Sequence, residues 1–365
     1  MRYSLLFLSF FIGMYSSFAQ DMQMVVKQYY PHDEDPGGII FSAVKGKVEL
    51  LPFGRANLDK NTAVASETAF RMASVSKQFT AMAVYLLIKK GLLSFDTPIR
   101  QILTELPKAT ESITINHLIQ HTSGIWDYET VIPNEEQTQL SDIDVLHLVS
   151  AIDSVYFPVG SRFRYSNTGY CLLSLIVERV SKMDYPTFMA NHVFVPSGLT
   201  YALVYNPDCA IANRAYGYHP TEVDFRFADQ SITSATKGDG GIYISAQEFI
   251  LWMNYDNPLW DKDFWDTLSR RKVTVRDSIY YSMGWFVKTD EEGKVLSIFH
   301  SGESTGFHNA VLFLLQENIA IGMFTNRDDS LINDAYDAML NHYNAKPLKL
   351  KEPLFQWLSK VYAGE

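Results

Sequence analysis

Apolar positions recur along this chain with two different periods, and the change of period divides it into regions. Ile39 to Val44 and Val48 to Phe53 are short apolar runs separated by Lys45-Gly46-Lys47, a spacing that predicts a β-hairpin with glycine at its tip. Phe79, Met82, Ala83, Leu86 and Leu87 then fall at helical spacing, and Gly91 follows Lys89-Lys90 as a stop, which predicts a buried helix opening at Ser74. From there to about Gly240 the pattern is mostly helical, with many loops. Strand patterns return at Met283–Val287, Val295–His300, Ala310–Leu315 and Ile319–Thr325, the last two flanking a turn at Gln316-Glu317-Asn318. A helix is predicted from Leu331 to Tyr343, and after Pro353 the residues Leu354, Trp357, Leu358 and Val361 give the tail an apolar face. A short helix over Met22–Tyr30 precedes the first hairpin. Strands near both ends with helices between them predict an α/β fold of the α+β type. It would be an antiparallel sheet flanked by helices, built from distant segments, with a mostly helical subdomain inserted over roughly residues 92–240.

The first residues change the picture of where the chain works. Met1-Arg2-Tyr3 precedes an apolar stretch from Ser4 to Phe18, and Ser17-Phe18-Ala19 supplies small residues before a cut ahead of Gln20. Residues 1–19 are therefore expected to be a secretory leader, too short to span a bilayer, and residues 20–365 a single secreted or periplasmic domain. The net charge of −10 argues against nucleic acid or an anionic membrane as partner, since both select basic faces. With two cysteines the chain can form at most one disulfide. Cys171 lies in an apolar run and reads as a small buried hydrophobe, Cys209 follows Pro207-Asp208 in a loop, and a bridge between them stays open.

Candidate chemistry centres on Ser74-Val75-Ser76-Lys77. Residues three apart share a helix face, so the Lys77 amine can reach the Ser74 hydroxyl and activate a weak nucleophile. A helix start also favours developing negative charge. The same serine could serve only as a helix cap. Tyr165-Ser166-Asn167 offers a tyrosine that would act as base if a cation such as Lys77 lowered its pKa from about 10. Its asparagine carries both a donor and an acceptor for a substrate amide. His300-Ser301-Gly302 ends the strand predicted at Val295–His300. Gly302 would let a substrate approach closely, and the Glu303 N–H could join the Ser74 N–H in holding an oxyanion.

Two further patterns compete with these. Gly302-Glu303-Ser304-Thr305-Gly306 matches the nucleophile elbow G-x-S-x-G, but that motif requires a helix directly after the serine, and Phe307–Leu315 reads as strand. Only His308 and His342 remain downstream as partners. His117 and His121 are four apart and could clasp a metal, but no glutamate or third ligand completes the pattern, so no metal and no cofactor are expected.

Taken together in this order, the motifs resemble the serine β-lactamase and penicillin-binding protein superfamily, and more closely its class C-like branch. The matching segments are Phe70-Arg71-Met72-Ala73-Ser74-Val75-Ser76-Lys77, Leu118-Ile119-Gln120-His121-Thr122-Ser123-Gly124, Phe163-Arg164-Tyr165-Ser166-Asn167-Thr168-Gly169-Tyr170, Gly238-Asp239-Gly240-Gly241, Tyr281-Ser282-Met283-Gly284-Trp285 and His300-Ser301-Gly302 with Gly306-Phe307. The resemblance implies a Ser74 acyl-enzyme. Lys77 and Tyr165 would relay the proton, Asn167 would orient the substrate, and the Ser74 and Glu303 N–H groups would form the oxyanion hole. His300 stands where many members carry the lysine of Lys-Thr/Ser-Gly, exchanging a constant cation for a group expected to titrate near neutrality. Members with histidine here look more like esterases or D-amino-acid peptidases than dedicated β-lactamases. The expected substrate is thus a small ester or a D-amino-acid peptide. A class C-type β-lactamase, a D-Ala-D-Ala carboxypeptidase and a sensor that stays acylated at Ser74 are the alternatives. The oligomeric state is left open.

Overall fold

The structure, a computed structural model, describes residues 22–343, 345 and 352–364. The leader expected at 1–19 lies outside the described residues, which begin with a helix over 22–29. Eight strands form one antiparallel sheet: β1 (Gly38–Val44), β2 (Lys47–Phe53), β3 (Val273–Arg276), β4 (Ile279–Ser282), β5 (Trp285–Thr289), β6 (Val295–Ser304), β7 (Phe307–Leu314) and β8 (Ile319–Thr325). Their spatial order is β3-β4-β5-β6-β7-β8-β1-β2, so the first hairpin closes one side of a sheet otherwise made by the last third of the chain. The joint is the β1–β8 pairing, from Gly38 opposite Thr325 to Val44 opposite Ile319.

Nearly every position of β7 and β8 is buried. Burial without alternation means that both faces of the sheet are covered. The helix Ala246–Trp252 contacts β1, β2 and β8, where Phe249 packs 5.3 Å from Phe324 and 6.0 Å from Phe41. The helix Leu331–His342 contacts β7 and β8. Between β2 and β3 the chain adds the helices Lys77–Lys89, Ile115–Ile119, Asp142–Ser150, Asn167–Ser181 and Tyr185–Met189. It also adds short strands there, among them Leu203–Val204, Tyr218–Pro220 and Phe225–Phe227. No helix of the described residues is long and apolar enough to cross a membrane.

Three local expectations change. Two strands, β3 and β4, stand where no strand pattern was expected; β3 leaves Thr274 exposed and the rest half-buried, and a short half-buried strand carries little period-2 signal. The strand expected at Met283–Val287 starts at Trp285, because Met283 and Gly284 take φ of 51° and 81° and make the two-residue turn that pairs Ser282 with Trp285. The strand expected to end at His300 continues to Ser304. His300 is therefore an interior strand residue, and this alters its chemistry below.

Candidate active site

Two pieces of sheet deliver Ser74. The strand Ala69–Arg71 pairs with Ile242–Ser245 in a small second sheet, and the chain then passes along the large sheet, where Asn309 Nδ2 donates to the Arg71 carbonyl at 2.9 Å. Ala73 sits at φ 47°, a left-handed conformation costly for alanine that the surrounding contacts must hold. Ala73–Ser76 form a 3₁₀ turn, and the α-helix begins at Lys77, not at Ser74. The tighter turn places Ser74 and Lys77 one above the other.

Lys77 is fully buried, and its Nζ has three oxygen partners: Ser74 Oγ at 2.8 Å, Asn167 Oδ1 at 2.8 Å and the Asp239 carbonyl at 2.9 Å. Burial lowers its pKa to about 8, with Asp239 the largest influence in the other direction. Two of the three partners can only accept. A neutral amine has two N–H groups and one lone pair, so those two partners take both N–H groups and the lone pair faces the Ser74 hydroxyl. The geometry suits withdrawal of the Ser74 proton. The Asn167 amide is oriented by its other end, where Nδ2 donates to Glu129 Oε1 at 3.0 Å.

Asn167 opens the helix Asn167–Ser181, with Ser166 as N-cap accepting the Gly169 N–H at 3.3 Å. His121 holds this segment in place. Its Nδ1 accepts the Ser166 N–H at 3.0 Å, its carbonyl accepts the Arg164 N–H at 2.8 Å, and its ring lies 4.3 Å from that of Tyr165. His117 caps the preceding helix, its Nδ1 3.1 Å from the Thr114 N–H. Both histidines are thus engaged in framework contacts. Tyr165 has a ring 5.0 Å from Lys77 Nζ and a buried hydroxyl that faces Ser74. Burial raises its pKa well above the ordinary value, with Ser74 a weaker influence downward, so the lowering expected from a neighbouring cation does not occur. The phenol therefore keeps its proton at neutral pH.

His300 departs most from expectation. It is 1% exposed, its Nδ1 donates to the Ser301 carbonyl at 2.5 Å, and its Nε2 lies 3.3 Å from the Tyr281 hydroxyl. Burial drives its pKa down to about 3, so it is neutral across the physiological range and does not titrate near neutrality. Ser301 is also buried, its Oγ 2.8 Å from the Tyr362 hydroxyl. Gly302 touches the Ser74 turn: a Cβ there would lie 2.1 Å from the Met72 carbonyl oxygen and 3.2 Å from the Ser74 nitrogen. Gly302→Ala is accordingly expected to cost about 1–3 kcal/mol of stability and to cut kcat/KM more than it lowers the melting temperature would suggest, because the turn carrying Ser74 must move; thermal unfolding and steady-state kinetics on one preparation check this. Glu303 is exposed beside it on β6. Ser304 pairs with Phe307 across a hairpin turn and is followed by β7, so the helix that an elbow requires is not there.

Other neighbours had no assigned role in the sequence. Asp239 belongs to a glycine-rich segment recognised as a motif, yet its contribution is a backbone carbonyl, which side-chain reasoning passes over. Asp142 accepts the Lys237 and Gly238 N–H groups at 3.0 and 3.2 Å and so anchors that segment, its carboxyl raised to about 7 by burial and then by Asp239. The potential ligand atoms of Asp142, Cys171 and Asp239 lie within 4.8 Å of one another, but both Asp142 oxygens already serve the loop. Glu129 stands at the mouth, its carboxyl raised to about 7 by partial burial and by Asp127. Cys171 and Cys209 are both free, the first buried and the second exposed.

Comparison with known proteins relates most of the chain to one family. A family model described as Beta-lactamase matches residues 11–345. Penicillin-binding protein 4* of Bacillus subtilis (strain 168) is 26% identical over 306 residues, covering 76% of this chain and 65% of the relative, so the chain spans just under two thirds of that protein's length. The crystal structure of a penicillin binding protein from Bacillus halodurans superposes with a TM-score of 0.77 at 26% identity, covering 88% of this chain and 98% of the other. The D-amino acid amidase from Ochrobactrum anthropi SV3, complexed with L-phenylalanine amide, superposes with a TM-score of 0.76 at 18% identity, over 91% and 99% of the two chains, a likeness of fold.

Proposed function

The chain belongs to the Beta-lactamase family of serine hydrolases, and from that premise we propose that it transfers the acyl group of a small ester or a D-amino-acid peptide or amide through Ser74. The observation that carries this reading is the 2.8 Å contact of Lys77 Nζ with Ser74 Oγ while acceptors take its other two positions. Neutral Lys77 removes the hydroxyl proton as Ser74 Oγ bonds to the substrate carbonyl carbon. The carbonyl oxygen gathers charge facing the Ser74 and Glu303 N–H groups. Tyr165, held protonated by burial, gives its proton to the leaving group as the bond to it breaks, and Lys77 returns a proton to the phenol. Asn167 holds the acyl side. Water then adds to the acyl-enzyme, delivering its proton along the same path, and Ser74 is regenerated. Residues 1–19 support an exported site of action.

The substrate class follows from charge. His300 supplies no cation, so a substrate carboxylate would enter without a charged partner, and a charge-assisted hydrogen bond forgone is worth roughly tenfold or more in rate. Glu129, which accepts from Asn167 Nδ2 at 3.0 Å, has a carboxyl raised to about 7. It carries about half a negative charge at neutral pH and more above it, which favours an acyl group carrying an amine. A panel of p-nitrophenyl esters, D-alanyl amides and a chromogenic cephalosporin is expected to give turnover of the first two and roughly tenfold or more poorer turnover of the third. Preferred cephalosporin hydrolysis would overturn the reading in favour of a β-lactamase. One equivalent of product without a steady state would overturn it in favour of an acylated sensor.

A further inference from the structure

The helix Leu354–Ala363 carries an aromatic group into the site just described. Its apolar face is buried through Leu354, Phe355, Trp357, Leu358 and Val361. Trp357 is the anchor: fully buried, its ring 5.5 Å from Phe286 and 6.1 Å from Phe299, its Nε1 donating to Asp277 Oδ2 at 3.0 Å. One turn further, the helix delivers Tyr362. The Tyr362 ring lies 4.6 Å from the Tyr165 ring, and its hydroxyl is 2.8 Å from Ser301 Oγ. Tyr165 and Ser301 flank Ser74 on two sides, so Tyr362 fills the corner between the proton donor and strand β6.

A substrate held at the Ser74 and Glu303 N–H groups can extend toward Asn167 or along β6 toward Ser301. Tyr362 closes the second direction with an uncharged ring. It also occupies the Ser301 hydroxyl, which would otherwise be free to bond an anion. Around this corner the charged group acting on Tyr362 is Glu303, of the wrong sign for an anion, and the ring of His300 behind it is neutral. We propose that Tyr362 is a specificity-determining residue of the Ser74 site, excluding substrates that bring a carboxylate to the Ser301 side and selecting neutral esters and amides there. The proposal rests on the acyl-transfer reading above and narrows it, from esters, peptides and amides in general to those that bring no carboxylate to the Ser301 side.

The test compares two esters that share an acetyl group and differ by one carboxylate on the leaving group, phenyl acetate and 3-acetoxybenzoate, with Ser74 labelling by a fluorophosphonate probe in parallel. Wild-type protein is expected to favour phenyl acetate in kcat/KM by roughly tenfold or more. Tyr362→Ala, which opens the corner and frees Ser301, is expected to narrow that ratio by roughly tenfold. Tyr362→Phe keeps the packing and frees only the hydroxyl, and is expected to narrow it about threefold; it decides the matter if the alanine variant does not fold. Labelled, active wild type whose ratio neither variant narrows overturns the role of Tyr362. Wild type that takes no label at Ser74 and turns over neither ester overturns the acyl-transfer reading instead, and this proposal with it.

Discussion

Ser74→Ala is expected to abolish covalent labelling by a fluorophosphonate probe and to lower kcat by on the order of 10⁶-fold, while Ser304→Ala leaves both nearly unchanged. The two serines are tested together because sequence patterns nominate both. Ser74 has a base at 2.8 Å whose remaining donors are committed elsewhere. Ser304 has no hydrogen-bond partner for its buried hydroxyl and stands at a hairpin, followed by strand. Substitution at Ser74 removes the bonding atom itself. The fold should tolerate it, since the 3₁₀ turn gains nothing from a Ser74 side-chain cap. Mass spectrometry of the labelled peptide, with melting temperatures of both variants, decides between them. A label that survives Ser74→Ala and disappears in Ser304→Ala would transfer the chemistry to the hairpin and dismantle the site assembled around Lys77.

The architecture was legible where pattern and packing agree. Ile319–Thr325 is strand from end to end because its hydrophobic run is bounded by turn residues and buried on both faces. The joining of a first hairpin to late strands also followed from the order of the patterns. The missing information concerned environment. The motif with His300 located it beside the site but not its burial, because Tyr281 comes from a strand with almost no alternation and Tyr362 from a tail recognised only by its apolar face. Tyr165 illustrates the same gap: a neighbouring lysine argues for a lowered pKa, whereas enclosure among His121, Tyr281 and Tyr362 raises it. Proximity can be read from spacing within a motif. Desolvation depends on segments far apart in the chain, such as those carrying Tyr281 and Tyr362 around Tyr165.

The same balance makes Lys77 the more demanding test of mechanism. Lys77→Ala is expected to lower kcat/KM on the order of 10³-fold, and Lys77→Arg to be no better, although it restores the charge. A guanidinium stays protonated and cannot accept the Ser74 proton. If Lys77 acts only by placing positive charge near the substrate, arginine should recover much of the loss, and the base assignment fails. The pH profile gives an independent reading. Burial sets the Lys77 pKa at about 8, and the competent form is the neutral one, so wild-type kcat/KM should climb as pH rises through about 8 and level off above it. A profile flat from pH 6.5 to 9 would contradict this. Stability separates the loss of activity from unfolding. A folded-state pKa below the unfolded value means that the charged amine opposes folding at neutral pH, an opposition that fades as pH rises from about 8 toward the ordinary lysine value. Lys77→Met removes the charge and keeps a similar length of apolar chain, but leaves Asn167 Oδ1 and the Asp239 carbonyl without a donor, at about 1–3 kcal/mol each. The two effects offset, so the melting temperature at pH 7 should stay close to wild type while the variant remains as inactive as Lys77→Ala. An inactive but equally stable protein would locate the function of Lys77 in proton transfer to and from Ser74, since a lysine kept for structure would be missed in the unfolding curve first.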